Sequence, residues 1–272
     1  MKKSLVLGAL GACVLLAACQ AVNTTSGGAV GVERKQYMLT MLSTQELDQM
    51  SAQSYQKTLG EATSKSLVDK TSANAKRVQT IANRLIAQAP AFRPDTAQWQ
   101  WEVNLIKSDE INANCGPGGK IFVYSGLIET LKLTDDELAA VMGHEIAHAL
   151  REHSREAISQ AYIFAMGKQA VIAATGLGEA GQQIADGAVK YGMTLPNSRG
   201  SENEADLIGL ELSARAGYNP NAAISLWNKM AKASEGAPPE FMSTHPASDS
   251  RIASLQAAIP KVMPLYQQAK KS

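Results

Sequence analysis

Residues 134–150 read Thr-Asp-Asp-Glu-Leu-Ala-Ala-Val-Met-Gly-His-Glu-Ile-Ala-His-Ala-Leu, and this stretch decides the fold. Thr134 followed three residues later by Glu137 is a capping box, the mark of a helix start. Leu138, Val141, Met142 and Leu150 then recur at the spacing of a buried helix. On such a helix His144 and His148, four apart, leave from one face and can offer two imidazoles to one metal ion. A mostly buried helix should not carry two histidines and Glu145 inward without a partner, because unpaired polar groups are costly to bury. A metal is the simplest partner, and two neutral imidazoles suit Zn²⁺. Glu145 stands beside them, free to carry protons. The bland alternative is a surface helix with two unrelated histidines.

A catalytic zinc usually takes three protein ligands, and the chain has only four histidines. His153 lies five residues beyond His148, which on a continuous helix turns it about 140° away; it reads as a surface residue. The better source is Ser198-Arg199-Gly200-Ser201-Glu202-Asn203-Glu204-Ala205-Asp206. Glu202 and Asp206 are four apart and share a helix face, while Leu207, Leu210 and Leu212 suggest that this helix packs inward. Glu202 is read as the third ligand. Asp206 is read as the acceptor that fixes the tautomer of a ligand imidazole. Glu204 is read as part of a solvated acidic face.

The pattern His144-Glu145-x-x-His148, then Ser198-Arg199-x-x-Glu202-x-x-Ala205-Asp206, resembles the metallopeptidase family of the prenyl-CAAX endopeptidases. Asn112-Ala113 before Pro117-Gly118-Gly119-Lys120-Ile121-Phe122-Val123 is similar to that family's substrate strand. Thr244-His245-Pro246 with Arg251-Ile252 is similar to its C-terminal His-Pro motif. The motifs come in family order over roughly residues 75–260, and the N-terminus looks most like the family's outer-membrane lipoprotein branch, the LoiP type. The resemblance implies a gluzincin-like fold, one zinc per chain and endopeptidase activity. Zn²⁺ would be held by His144, His148 and Glu202, with Glu145 as base. An edge strand from Gly119 to Tyr124 would take unfolded or extended polypeptide by main-chain hydrogen bonds, with Asn112 and Ala113 holding it beside the metal. His245, restricted to extended backbone by Pro246, fits three roles: donor to the oxyanion and so catalytic, occupant of the open zinc position, or plain loop histidine. Arg251 is read as fixing that loop by ion pairing. The rival class is a non-proteolytic envelope chaperone or assembly factor retaining the zinc.

The N-terminus sets the compartment. Lys2 and Lys3 precede an apolar stretch from Leu5 to Ala18, too short for a stable span and of secretion-signal form. Leu16-Ala17-Ala18-Cys19 has the form of a bacterial lipobox, with Cys19 as the lipidated residue; Leu10-Gly11-Ala12-Cys13 is a poorer match. Gln20 in place of aspartate favours the outer membrane as the partner surface, facing the periplasm. Removing residues 1–18 leaves 24 basic side chains against 25 acidic ones. Near-neutrality argues against nucleic acid as a partner and against electrostatic binding to a membrane. Of the three cysteines, Cys13 and Cys19 are accounted for, so Cys115 has no internal disulfide partner and is read as a packing residue.

The expected class is α+β and mainly helical, with a small sheet whose edge strand flanks the active-site helix. Residues 1–18 are read as signal, 19–32 as a small, polar, Gly-rich tether, 33–70 as an N-terminal helical extension and 71–272 as the catalytic domain. Helices are expected from about Thr44 to Ala62, opened by a Ser43–Glu46 capping box, and from about Ser72 to Gln88, with Val78, Ile81 and Leu85 on one face. Strands are expected at Trp99–Ile106 and Ile121–Ser125. Residues 161–193 read as a helical hairpin joined at Gly176-Leu177-Gly178, with a lid over the site as the second reading.

Overall fold

A computed structural model describes residues 19–175, 195–233, 239–246 and 248–271. The expected signal and the Gly176-Leu177-Gly178 junction lie outside them. The described residues are mainly helical, with one two-stranded and one four-stranded sheet. Strands β1 (Cys19–Val22) and β2 (Gln36–Leu39) pair antiparallel, then α1 (Thr44–Ser64) leads to β3 (Val68–Asp69) and α2 (Ala73–Ile86). Strands β4 (Glu102–Ile106), β5 (Ala113–Gly116) and β6 (Lys120–Tyr124) follow. Among the described residues the elements after β6 are helices: α3 (Ser125–Thr130), α4 (Asp135–Leu150), α5 (His153–Thr175), α6 (Leu195–Arg215), α7 (Ala222–Ala233), α8 (Glu240–Thr244) and α9 (Asp249–Ala269).

Local signals explain the helix starts. Ser43 and Thr134 each accept from the backbone N–H three residues on, and Glu46 and Glu137 reach back to the cap N–H groups. Ser72 caps α2, whose Val78, Ile81 and Leu85 are buried. Helix α4 is buried on nearly every side from Leu138 to Leu150, with Leu138, Val141, Met142, Ile146 and Leu150 in the core, so it sits in the centre of the molecule. It packs on β5 and on α2, α5, α6 and α7.

The larger sheet has the order β3-β4-β6-β5. Strand β6 pairs parallel with β4, placing Val103 opposite Ile121, and antiparallel with β5, placing Cys115 opposite Ile121. This corrects one expectation: Gly119–Tyr124 is interior, and the edge strand flanking α4 is β5. The run Ile121-Phe122-Val123 is buried on both faces, which suits a central strand. Tyr55 of α1 stacks on Phe122 at 4.1 Å between ring centroids and closes the sheet face opposite α4.

The segment read as a tether is built into the fold. Besides the β1–β2 pairing, Val30 and Val32 join the core, and the Ser26 N–H donates to the Phe92 carbonyl at 2.8 Å. The glycine-rich composition of residues 26–32 conceals two anchoring valines.

Candidate metal centre

Two helices build the site by touching at their backbones. Cβ atoms added at Gly143 of α4 or Gly209 of α6 would lie within 2.9 Å of the other helix's main chain, so only glycine permits this approach. The contact sets His144 and His148 of α4 against Glu202 and Asp206 of α6. The loop after α8, braced by α9, then delivers His245.

Four donor atoms converge. His144 Nε2 lies 3.1 Å from His148 Nε2 and 3.4 Å from Glu202 Oε2. His148 Nε2 lies 3.2 Å from Glu202 Oε1. His245 Nδ1 lies 2.9 Å from Glu202 Oε1 and 3.3 Å from His144 Nε2. For metal–ligand bonds of 2.0–2.1 Å, the edges of a tetrahedron are about 3.3 Å. These five separations lie close to that edge length, and a chemistry of three imidazoles and one carboxylate fits zinc. Among the described residues these four form the one cluster able to hold a metal ion.

The outer partners orient the donors. His144 Nδ1 faces Asp206 Oδ1 at 3.1 Å, off hydrogen-bond geometry but within ion-contact reach, which turns Nε2 to the centre. Arg251 holds Asp206 through two bonds of 2.6 and 2.8 Å, touches Glu202 Oε2 at 3.0 Å and donates to the Pro246 carbonyl. It thereby fixes the loop bearing His245, the role expected of it.

Two expectations fail here. His153 is buried, with Nδ1 2.9 Å from His148 Nδ1 and Nε2 3.2 Å from Glu204 Oε2. Glu152 has φ 50°, so α4 stops and α5 restarts at His153, and the offset of a continuous helix does not apply. Glu204 is buried rather than solvated, ion-paired to Arg34 and to Arg151. Arg34, Arg151, Glu156 and Gln36 complete this network and also escaped the sequence reading. The available signal was the Arg151-x-His153 pair just past the metal helix.

The electrostatics follow from burial opposed by these partners. Burial resists ionisation of Glu202, but the three histidines outweigh it and hold its carboxyl well below the usual range. Burial lowers His144, yet Asp206 and Glu202 reverse this and push it up to about 9. Burial takes His148 well below its ordinary value, Glu202 pulling the other way, and so favours the neutral imidazole a metal requires. Glu145 is raised, chiefly by burial, with His245 and His144 opposing. Its Oε1 lies 3.6 Å from His245 Nε2.

The expected substrate residues divide. Ala113 begins edge strand β5, and the neighbouring Ile111 carbonyl accepts from the Phe241 N–H of α8, beside His245. The Asn112 side chain donates to Glu110 and accepts from the Ala113 N–H. Gly119, by contrast, has φ 80° in the β5–β6 turn, packed where a Cβ would strike the Trp101 ring. Its role is conformational. Cys115 is buried, outside the donor group, its thiol pushed well up by burial and the nearby Glu145 charge. Cys19 opens β1, half-buried.

A family model described as peptidase family M48 matches residues 72–259. The mitochondrial metalloendopeptidase OMA1 of Schizosaccharomyces pombe is 37% identical over 186 residues, covering 68% of this chain and 52% of that protein. The beta-barrel assembly-enhancing proteases of Yersinia pestis and Escherichia coli are 30% and 27% identical, covering 64% and 71% of this chain and 37% and 40% of theirs. The chain thus spans about half or less of the length of these relatives. The comparisons support the peptidase family, not the prenyl-CAAX or LoiP-type branch within it.

Proposed function

The chain belongs to peptidase family M48, and on that footing we propose that it is a zinc-dependent metalloendopeptidase of the bacterial envelope that cleaves extended segments of misfolded or unassembled proteins. The observation that carries this is a donor set at tetrahedral spacing with a buried Glu145 beside it.

His144, His148 and Glu202 would hold the ion. Bound zinc would polarise a scissile carbonyl and lower the pKa of water. Glu145 takes a proton from the attacking water and returns it to the leaving nitrogen; its raised pKa suits both directions. Asp206 and Arg251 keep the donors aimed. The outer edge of β5 accepts substrate as an added strand, gripping main chain and leaving sequence selectivity modest. Glu145→Gln keeps the metal and loses about 10²-fold or more in cleavage of unfolded casein. Undiminished, chelator-sensitive cleavage by that variant would remove Glu145 as base, and no cleavage by the zinc-loaded wild type would leave the chaperone reading standing.

For His245, the contact of Nδ1 with Glu202 supports the role of occupant of the fourth position, which substrate must displace. His245→Ala then cleaves casein faster than the wild type, whereas slower cleavage with zinc retained would mark it as a donor to the oxyanion.

We place the enzyme in the periplasm, attached to the outer membrane by a lipid on Cys19. The Leu16-Ala17-Ala18-Cys19 sequence supports this, and among the described residues no helix is long and apolar enough to cross a membrane. Mass spectrometry of the N-terminal peptide from native cells tests it: an unacylated Cys19 would refute the attachment.

A further inference from the structure

Helix α5 is inverted. Over its first two turns its inward side is polar: Glu156 is 2% exposed and bonded to Arg34 and Gln36, and Ser159 is fully buried, accepting the Leu39 N–H at 3.0 Å. Its outward side is apolar: Ala157, Ile158, Ala161, Tyr162, Ala165 and Met166 are all exposed, at the spacing of one helix face. No charged residue occurs from 157 to 167. Strand β2 packs along this helix, and Tyr37 of that strand and Met41 of the turn after it are also exposed, at 58% and 65%. Exposed apolar surface of this extent calls for a partner.

The position of Cys19 identifies it. Cys19 pairs with Leu39 across the β1–β2 ladder, and Leu39 is bonded to Ser159 of α5. A lipid on Cys19 therefore emerges about one strand spacing, roughly 5 Å, from the strand seated on the inverted helix. With β1 paired, no slack chain separates the attachment point from this face. We infer that the apolar face of α5, with Tyr37 and Met41, lies on the lipid surface to which Cys19 is attached, fixing the orientation of the protease on the membrane. The inference rests on the anchoring proposed above. A tyrosine within an uncharged helical face suits a lipid interface, and an acyl chain gains from a second apolar contact.

The test is made independent of acylation in the cell. The chain is secreted behind an ordinary cleavable signal, leaving Cys19 as a free thiol, and is coupled to phosphatidylethanolamine–phosphatidylglycerol vesicles carrying a maleimide lipid. Cys115, being buried, does not compete. Hydroxyl-radical oxidation of Tyr162 and Met166 should fall several-fold on coupling, with Tyr266 of α9 unchanged. Ile158→Glu with Met166→Glu should couple equally well yet leave Tyr162 fully oxidised. Equal oxidation of Tyr162 in free and coupled wild-type protein would overturn the inference, as would protection already complete without vesicles, which would mean that this chain or a second copy covers the face. An unacylated Cys19 in native cells would instead remove the anchoring reading alone.

Discussion

At His148 the imidazole is held at both nitrogens, Nε2 facing Glu202 at 3.2 Å and Nδ1 facing His153 at 2.9 Å. The hydrogen bonds resolve in one direction: His148 Nδ1–H donates to His153, whose Nε2–H donates to Glu204. That order leaves the Nε2 lone pair of His148 pointing at the donor centre. Loss of such an outer partner typically costs 10–100-fold in metal affinity. His153→Phe should therefore release zinc about 10-fold or more readily to a competing chelator, with the helical circular dichroism unchanged. Retention equal to the wild type would reduce His153 to packing. The sequence showed the inner pair because four-residue spacing on a helix is geometry. It hid His153 because Glu152 breaks the helix, and nothing local to residues 148–153 announced the break.

At the scale of elements, the crossing of α4 and α6 is set by Gly143 and Gly209. Gly209→Ala forces the helices apart, a cost of about 1–3 kcal/mol for overpacking. It should lower the thermal midpoint and, by separating His144 from Glu202, weaken zinc retention together with it. Loss of stability alone, with retention intact, would show that the site does not depend on this crossing. The helices were legible through capping boxes and apolar spacing, and α1 and α2 fall within two residues of their expected bounds. The identity of the edge strand was not legible, because the partner of β6 on its far side, β4, is chosen by the parallel crossover.

Over the whole molecule, the N-terminal segment is strapped to the site. Arg34 pairs with Glu204 and with Glu156, and the Arg151 guanidinium donates to the Arg34 carbonyl, Asn23 and Thr25. Burial raises the Glu204 carboxyl, but His153, Arg34 and Arg151 outweigh it and hold it at about 2. A carboxyl depressed in the folded state adds stability above its unfolded pKa of about 4.5 and loses it as pH falls. The metal-free protein should thus lose stability between about pH 4.5 and 2, and Glu204→Gln should flatten that part of the urea-unfolding profile. An unchanged slope in the variant would assign the acid sensitivity to other carboxylates.

By itself the sequence determined the chemistry: His144, Glu145 and His148 on one helix face, Glu202 and Asp206 on another, and a mainly helical α+β chain around them. Those features are periodic, and periodicity is written locally. Only the tertiary structure decided that His245 stands among the donors, that His153 and Glu204 are buried behind them, that β5 rather than β6 forms the edge, and that residues 19–32 pack instead of trailing. Each of these joins positions tens to more than a hundred residues apart, or turns on one left-handed residue, and long-range packing leaves no periodic trace in the chain.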